Sequence, residues 1–165
     1  MPDIKYALYE FERRFLMRQP PDLSAYRYAD IEDRYLISSR LRLRKVSHAD
    51  GSIQYKLCKK YVPQSDTVTP LVNIYLDEGE YDLLAVLPGL SLTKRRHYLE
   101  TEHGPFAIDQ FQGNLTGLYL SEAERDSKEA LETMELPEWV EREVTHLPEY
   151  QGINLASASF SDLPA

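Results

Sequence analysis

A chain of 165 residues, 42% apolar and 28% charged, is long enough for one packed core and holds no apolar run near membrane-spanning length. Its formal charge of −8 argues against an extended nucleic-acid surface. A single cysteine, Cys58, excludes an intrachain disulfide, and the opening Met-Pro-Asp-Ile-Lys carries no apolar signal core, so a cytoplasmic protein is expected.

The stretch Tyr6 to Leu16 alternates with the strand period of two. Glu10, Glu12 and Arg14 fall on one face, Tyr9, Phe11, Arg13 and Phe15 on the other. Same-face residues on a strand are about 7 Å apart. Two carboxylates that close repel, so a cation is expected over them. After the break at Gln19-Pro20-Pro21-Asp22, Ala29 to Ile37 reads as extended, with Ile31, Tyr35 and Ile37 as its apolar positions. Arg40-Leu41-Arg42-Leu43-Arg44 alternates strictly, and its guanidiniums repel one another unless anions face them. Asp50-Gly51 signals a hairpin into a strand from Ile53 to Tyr61, with Lys56, Cys58 and Lys60 on one face.

Val68 to Leu76 is predicted as a strand. A helix follows from Asp77-Glu78-Gly79-Glu80 to about Leu87, with acids in its first turn where the helix dipole favours them. Leu90 to Leu99 is a strand carrying Lys94 and Arg96 on one face, and Phe106 to Phe111 a strand with Asp109 opposite Phe106 and Ile108. Leu115 to Glu124 places Leu118, Leu120, Glu122 and Glu124 together. Ser127 caps a helix over Lys128 to Glu135, Pro137-Glu138-Trp139 closes it, and a short last helix runs from near Pro148 through Leu155. Trp139 is expected to anchor packing, and the tail from Ser157 to Ala165 to be loose. His48, His97, His103 and His146 lack zinc-like spacing and are expected at the surface or in turns.

These elements define an α+β fold. About eight strands on short connections favour antiparallel pairing, and closure into an eight-stranded β-barrel with peripheral helices removes the exposed edges. Sorting the strand faces by charge gives eight cations (Arg14, Arg40, Arg42, Arg44, Lys56, Lys60, Lys94, Arg96) and five anions (Glu10, Glu12, Asp109, Glu122, Glu124). If these faces line a tunnel, its interior carries a surplus of about three positive charges inside an acidic protein, which suits a small, highly charged anion. Cys58, between Lys56 and Lys60, is then a small residue that leaves room. The glutamates are hard oxygen ligands suited to Mg²⁺ or Mn²⁺. Cations on one wall and a divalent metal on the other serve triphosphate chemistry. No glycine-rich phosphate loop is present, which excludes a Walker-type site.

In this order and on these faces, the motifs resemble the CYTH superfamily, the triphosphate tunnel metalloenzymes. Glu10-Phe11-Glu12-Arg13-Arg14-Phe15-Leu16 resembles its N-terminal Glu-x-Glu-x-Lys signature. Arg42-x-Arg44, Lys56-Leu57-Cys58-Lys59-Lys60 and Lys94-Arg95-Arg96 resemble its cationic strands. Asp109-Gln110-Phe111-Gln112-Gly113 and Glu122-Ala123-Glu124 resemble its Asp-x-Phe-x-Gly and closing Glu-x-Glu strands. Pro137-Glu138-Trp139, Glu143-Val144-Thr145 and Tyr150 resemble its C-terminal segment.

The resemblance implies a CYTH-like domain over residues 1–156 that hydrolyses or cyclises a triphosphate with Mg²⁺ or Mn²⁺. It implies metal at Glu10, Glu12, Asp109, Glu122 and Glu124, and phosphates at Arg42, Arg44, Lys56, Lys60, Lys94 and Arg96. Catalysis would fall to Glu10, Glu12, Arg14 and Glu124. The expected ligand is a small triphosphate or polyphosphate, inorganic tripolyphosphate first, with no extended nucleic acid and no membrane; a homodimer is compatible with it. Thiamine triphosphatase, class IV adenylate cyclase and a binding module without turnover are the alternatives. Arg14 stands where the family usually has lysine, Ala107 where many of its hydrolases carry glutamate, and Asn73-Ile74-Tyr75 lacks an acidic pair common in that region. The metal set is thinner for it.

Overall fold

The computed structural model describes residues 4–164. The strands are β1 (Leu8–Met17), β2 (Tyr28–Leu36), β3 (Leu41–His48), β4 (Ile53–Lys60), β5 (Val68–Leu76), β6 (Gly89–Thr101), β7 (Gly104–Phe111), β8 (Tyr119–Arg125) and β9 (Val140–Glu143). All neighbours pair antiparallel in the order β5-β4-β3-β2-β6-β7-β8-β1, and β1 then pairs β5, closing an eight-stranded barrel. β1 makes that closure possible by dividing one edge: its first half pairs β5 and its last residues pair β9. The short β9 is an additional strand that the alternation pattern does not reveal.

The helices are brief. Glu78–Ala85 forms α1, with Asp77 and Glu80 closing a reciprocal capping box at its start. Lys128–Glu132 forms α2 behind the Ser127 cap. The expected last helix divides into a 3₁₀ turn at Pro148–Tyr150 and α3 at Gly152–Leu155. The segment expected to be loose makes definite contacts: Phe160–Asp162 forms a 3₁₀ turn, and Tyr150 Oη donates to the Pro164 carbonyl at 2.7 Å. Among the described residues no helix is long and apolar enough to cross a membrane.

Alternation puts apolar residues on both barrel faces, because both are covered in places. Outside, Phe15, Phe106 and Ala123 pack under Met134, Trp139 and Val140, with Phe106 and Trp139 edge to face at 5.3 Å. Inside, Leu92, Phe111 and Leu120 pack against Tyr150 and Leu155 of the C-terminal segment, while Ala29, Ile31 and Val46 meet Tyr98. The C-terminal segment approaches so closely that a Cβ at Gly152 would lie 1.9 Å from Tyr35 Oη, so a larger residue there would have to displace Tyr35 or the segment. His97 departs from the surface role expected of it. It is buried, and neither ring nitrogen has a partner. Burial pushes its pKa below the ordinary histidine value, which keeps the ring neutral.

Candidate functional site

One cavity of about 510 Å³ occupies the barrel interior. Glu10, Glu12, Arg14, Arg42, Arg44, Lys60, Lys94, Arg96 and Glu122 all line it, joined by Arg40. These side chains come from strands far apart in sequence, and register aligns them. Glu12 lies opposite Glu124 and Arg14 opposite Glu122 across β1 and β8. Arg42 lies opposite Cys58 and Arg44 opposite Lys56 across β3 and β4. Lys56, Asp109 and Glu124 lie outside the lining: Asp109 is fully buried, Lys56 half-buried and Glu124 exposed.

The carboxylates do not share one partner set. Asp109 accepts from Arg96 Nε and Nη2, each at 2.7 Å, and from Lys94. Glu122 accepts from Arg14 Nε at 3.2 Å and from Arg96. Glu12 accepts from Arg14 Nη2 at 2.9 Å, and Glu10 accepts from Lys60. Arg14 extends the network to the C-terminal segment by donating through Nη1 to the Tyr150 carbonyl at 2.8 Å. Burial opposes ionisation of Asp109 and Glu122, but Arg96 and Lys94 outweigh it and hold both below the usual carboxylate range. Lys94 is itself lowered, by burial first, with Arg96 adding to it against Asp109. The pair stays charged, because Arg96 also donates to both Asp109 oxygens.

The opposite wall contains a residue the sequence pattern hides. Asp33 is 2% exposed and sits on the face read from sequence as apolar through Ile31 and Tyr35. It accepts from Arg44 Nε at 2.6 Å and Nη2 at 2.7 Å, and Arg42 Nε stands 3.7 Å away. The available signal was an acidic residue on the inward parity of a strand next to Arg40-Leu41-Arg42-Leu43-Arg44. Tyr35 and the Gln151–Leu155 segment are further lining groups that the motifs did not single out.

Of the eight cations assigned to the inward faces, three remain without a carboxylate hydrogen bond among the described residues: Arg40, Arg42 and Lys56. Arg42 Nε is buried and unpartnered. Arg40 makes only a 3.5 Å contact with the Tyr61 carbonyl. Lys56 has no acidic partner, and burial, then Arg44 and Arg42, push its pKa down. Positive charge is thus in local excess around β3 and β4, where an anion would relieve it.

Across the tunnel the excess is negative. Burial and then Glu122 raise the Glu12 carboxyl to about 7, and burial followed by Glu10 and Glu122 raises Glu124. Glu10, Glu12 and Glu124 are hard oxygen donors lacking enough cationic charge, so their chemistry fits a divalent ion. As placed, no three His, Cys, Asp or Glu side chains among the described residues converge on a metal position. Glu10 and Glu12 would have to turn from Lys60 and Arg14.

The Glu12 shift has a measurable consequence. In metal-free protein the folded state keeps a proton that the unfolded state loses between pH 4.5 and about 7, so this group's contribution to stability falls as pH rises through that window. Glu12→Gln should therefore unfold at higher temperature than wild type at pH 8 in chelator, by up to about 3 kcal/mol less the lost Arg14 contact. The difference should shrink towards pH 5. A variant equally shifted at both pH values would contradict the assignment.

A closed antiparallel tunnel with cationic and acidic walls defines the class of protein. No protein-family model and no curated protein matches the chain. Among solved structures, the inorganic triphosphatase NE1496 is similar at 25% identity, covering 94% of this chain and 97% of that one, with a TM-score of 0.62. A second structure of NE1496 gives 26% identity, 91% and 99% coverage and a TM-score of 0.63. HpAC1 from Hippeastrum, described with a dominant triphosphatase activity, shares the fold at 15% identity, 74% and 82% coverage and a TM-score of 0.51. The closed eight-stranded antiparallel barrel and the likeness to NE1496 support the resemblance to the CYTH superfamily.

Proposed function

We propose that this protein is a triphosphatase that cleaves a phosphoanhydride bond of a small triphosphate, inorganic tripolyphosphate first, with Mg²⁺ or Mn²⁺. The observation that carries the proposal is the cation-rich wall of the cavity, where Arg40 and Arg42 make no hydrogen bond to a carboxylate and Arg42 Nε is buried without a hydrogen-bond partner. A cavity of about 510 Å³ suits a small molecule rather than a polymer lying across a surface. The likeness to NE1496 over nearly the whole of both chains supports the same class of reaction.

Arg40 and Arg42 would take the non-bridging phosphate oxygens, and Lys60 and Arg96 the remainder, with Lys56 adding positive charge from outside the lining. Asp109 and Glu122 hold Lys94 and Arg96 in place rather than leaving them to swing. Glu10, Glu12 and Glu124 would hold the divalent ion, which supplies charge neutralisation at the phosphates and orients a water. A specific observation favours the second reading, binding without turnover: Arg14 already bridges Glu12 and Glu122.

Calorimetry without metal tests the anion site. Tripolyphosphate should bind wild type in a salt-sensitive way, and Arg42→Ala should weaken it by roughly 1.5–3 kcal/mol, the value of a charge-assisted hydrogen bond. Binding that is absent from wild type, or untouched in Arg42→Ala, would sink the proposal.

A further inference from the structure

We propose that Asp33 is a resident counter-ion that limits the length of phosphate chain the tunnel accepts, by occupying the gripping edge of Arg44. The inference rests on the phosphate-binding reading above.

Arg40, Arg42 and Arg44 all line the cavity, Arg42 and Arg44 on the inward face of β3 about 7 Å apart and Arg40 just before the strand begins. A guanidinium grips an oxyanion best through two parallel N–H groups. On Arg44, Nε and Nη2 are both donated to the two Asp33 oxygens, so that edge is closed. On Arg42, Nε has no hydrogen-bond partner and lies 3.7 Å from the same carboxylate. A phosphate chain running along the row thus meets Arg40 and Arg42, which line the cavity and make no hydrogen bond to a carboxylate. Beyond them it meets Arg44, which lines the cavity but has its Nε and Nη2 edge already taken by Asp33 behind it. Asp33 stays ionised there: burial works against it, but Arg44 and Arg42 prevail and hold its carboxyl below the ordinary range. The row ends at Arg42 for an anionic ligand.

A purely structural ion pair would leave chain-length preference alone, which separates the two roles. The experiment compares tripolyphosphate and tetrapolyphosphate binding to the full chain by calorimetry in chelator, for wild type and Asp33→Asn. Removing the carboxylate opens the Arg44 edge to one more phosphate. The tetrapolyphosphate-to-tripolyphosphate affinity ratio should then rise at least about tenfold, one charge-assisted contact. A ratio within twofold of wild type overturns the proposal. Asp33→Asn/Arg44→Gln lacks the guanidinium that would take the extra phosphate, and its ratio should return to the wild-type value; a ratio that stays high overturns it too.

If Asp33→Asn does not fold by itself, the readout is refolding of Asp33→Ser, whose small side chain leaves the edge open. Tetrapolyphosphate should restore its folded state at lower concentration than tripolyphosphate, and rescue by neither, or by both equally, counts against the proposal. Failure of wild type to bind tripolyphosphate would instead strike the phosphate-binding reading itself.

Discussion

Arg44→Ala should cost about 3–5 kcal/mol of folding stability, because it strips the principal partner from a buried carboxylate. Asp33 is 2% exposed, and both its oxygens accept from Arg44. Arg42 is the nearest replacement, but its Nε is 3.7 Å away and Arg42 itself is anchored in β3, which is paired along both edges by β2 and β4. The orphaned Asp33 must then remain charged in a poorly solvated place or take a proton that its environment in wild type opposes. For a domain of this size each kcal/mol moves the melting temperature by roughly 2–4 °C, so a fall of around 10 °C is expected. Asp33→Ala/Arg44→Ala should recover part of the loss, since both charges of the bidentate pair leave together and only Arg42 loses a carboxylate, 3.7 Å away. Denaturant unfolding of the two variants checks this. A loss under 1 kcal/mol in Arg44→Ala would show that the pair is solvated and that the β2–β3 wall is not built as described.

The second large effect falls on turnover. Glu12→Gln and Glu124→Gln each remove a charge from the acidic wall while keeping its shape. If these carboxylates hold the catalytic ion, phosphate release should drop by at least about a hundredfold, the scale seen when one key electrostatic group is lost. Tripolyphosphate binding measured without metal should not weaken in either variant, because the groups removed repel the ligand. Arg42→Ala differs from them on the second measurement: it weakens metal-free binding. Glutamine variants that lose metal-free binding as Arg42→Ala does would contradict the separation into an acidic wall and a phosphate wall. An independent check uses no turnover: Mg²⁺ or Mn²⁺ should raise the melting temperature of wild type and raise it less in Glu12→Gln.

Much of the fold is legible in the alternation. The strand period in Tyr6 to Leu16 and in Arg40 to Arg44 declares two walls with opposite character, and short connections leave antiparallel closure as the simplest arrangement. What the pattern cannot state is which charge meets which. Arg14 meets Glu122, and Lys94 meets Asp109, through registers fixed by the whole barrel. Asp33 escaped notice because it shares a face with Ile31 and Tyr35, and an apolar pair around one acid reads as a core strand. β9 escaped because four residues with three charged side chains, Val140–Glu143, carry little pattern. Its pairing comes from the edge that β1 leaves open past β5. The C-terminal segment was placed as helix, but its contribution to the tunnel through Gln151 and Gly152 depends on Tyr35 reaching it across the barrel.

The most direct measurement is phosphate release from tripolyphosphate by the full chain with Mg²⁺ or Mn²⁺, beside ATP and thiamine triphosphate under the same conditions. Metal-dependent release, fastest from tripolyphosphate and abolished by chelator, is the expected result. Tight binding of tripolyphosphate with no release from any of the three under either metal would contradict the triphosphatase and leave the tunnel as a binding site alone.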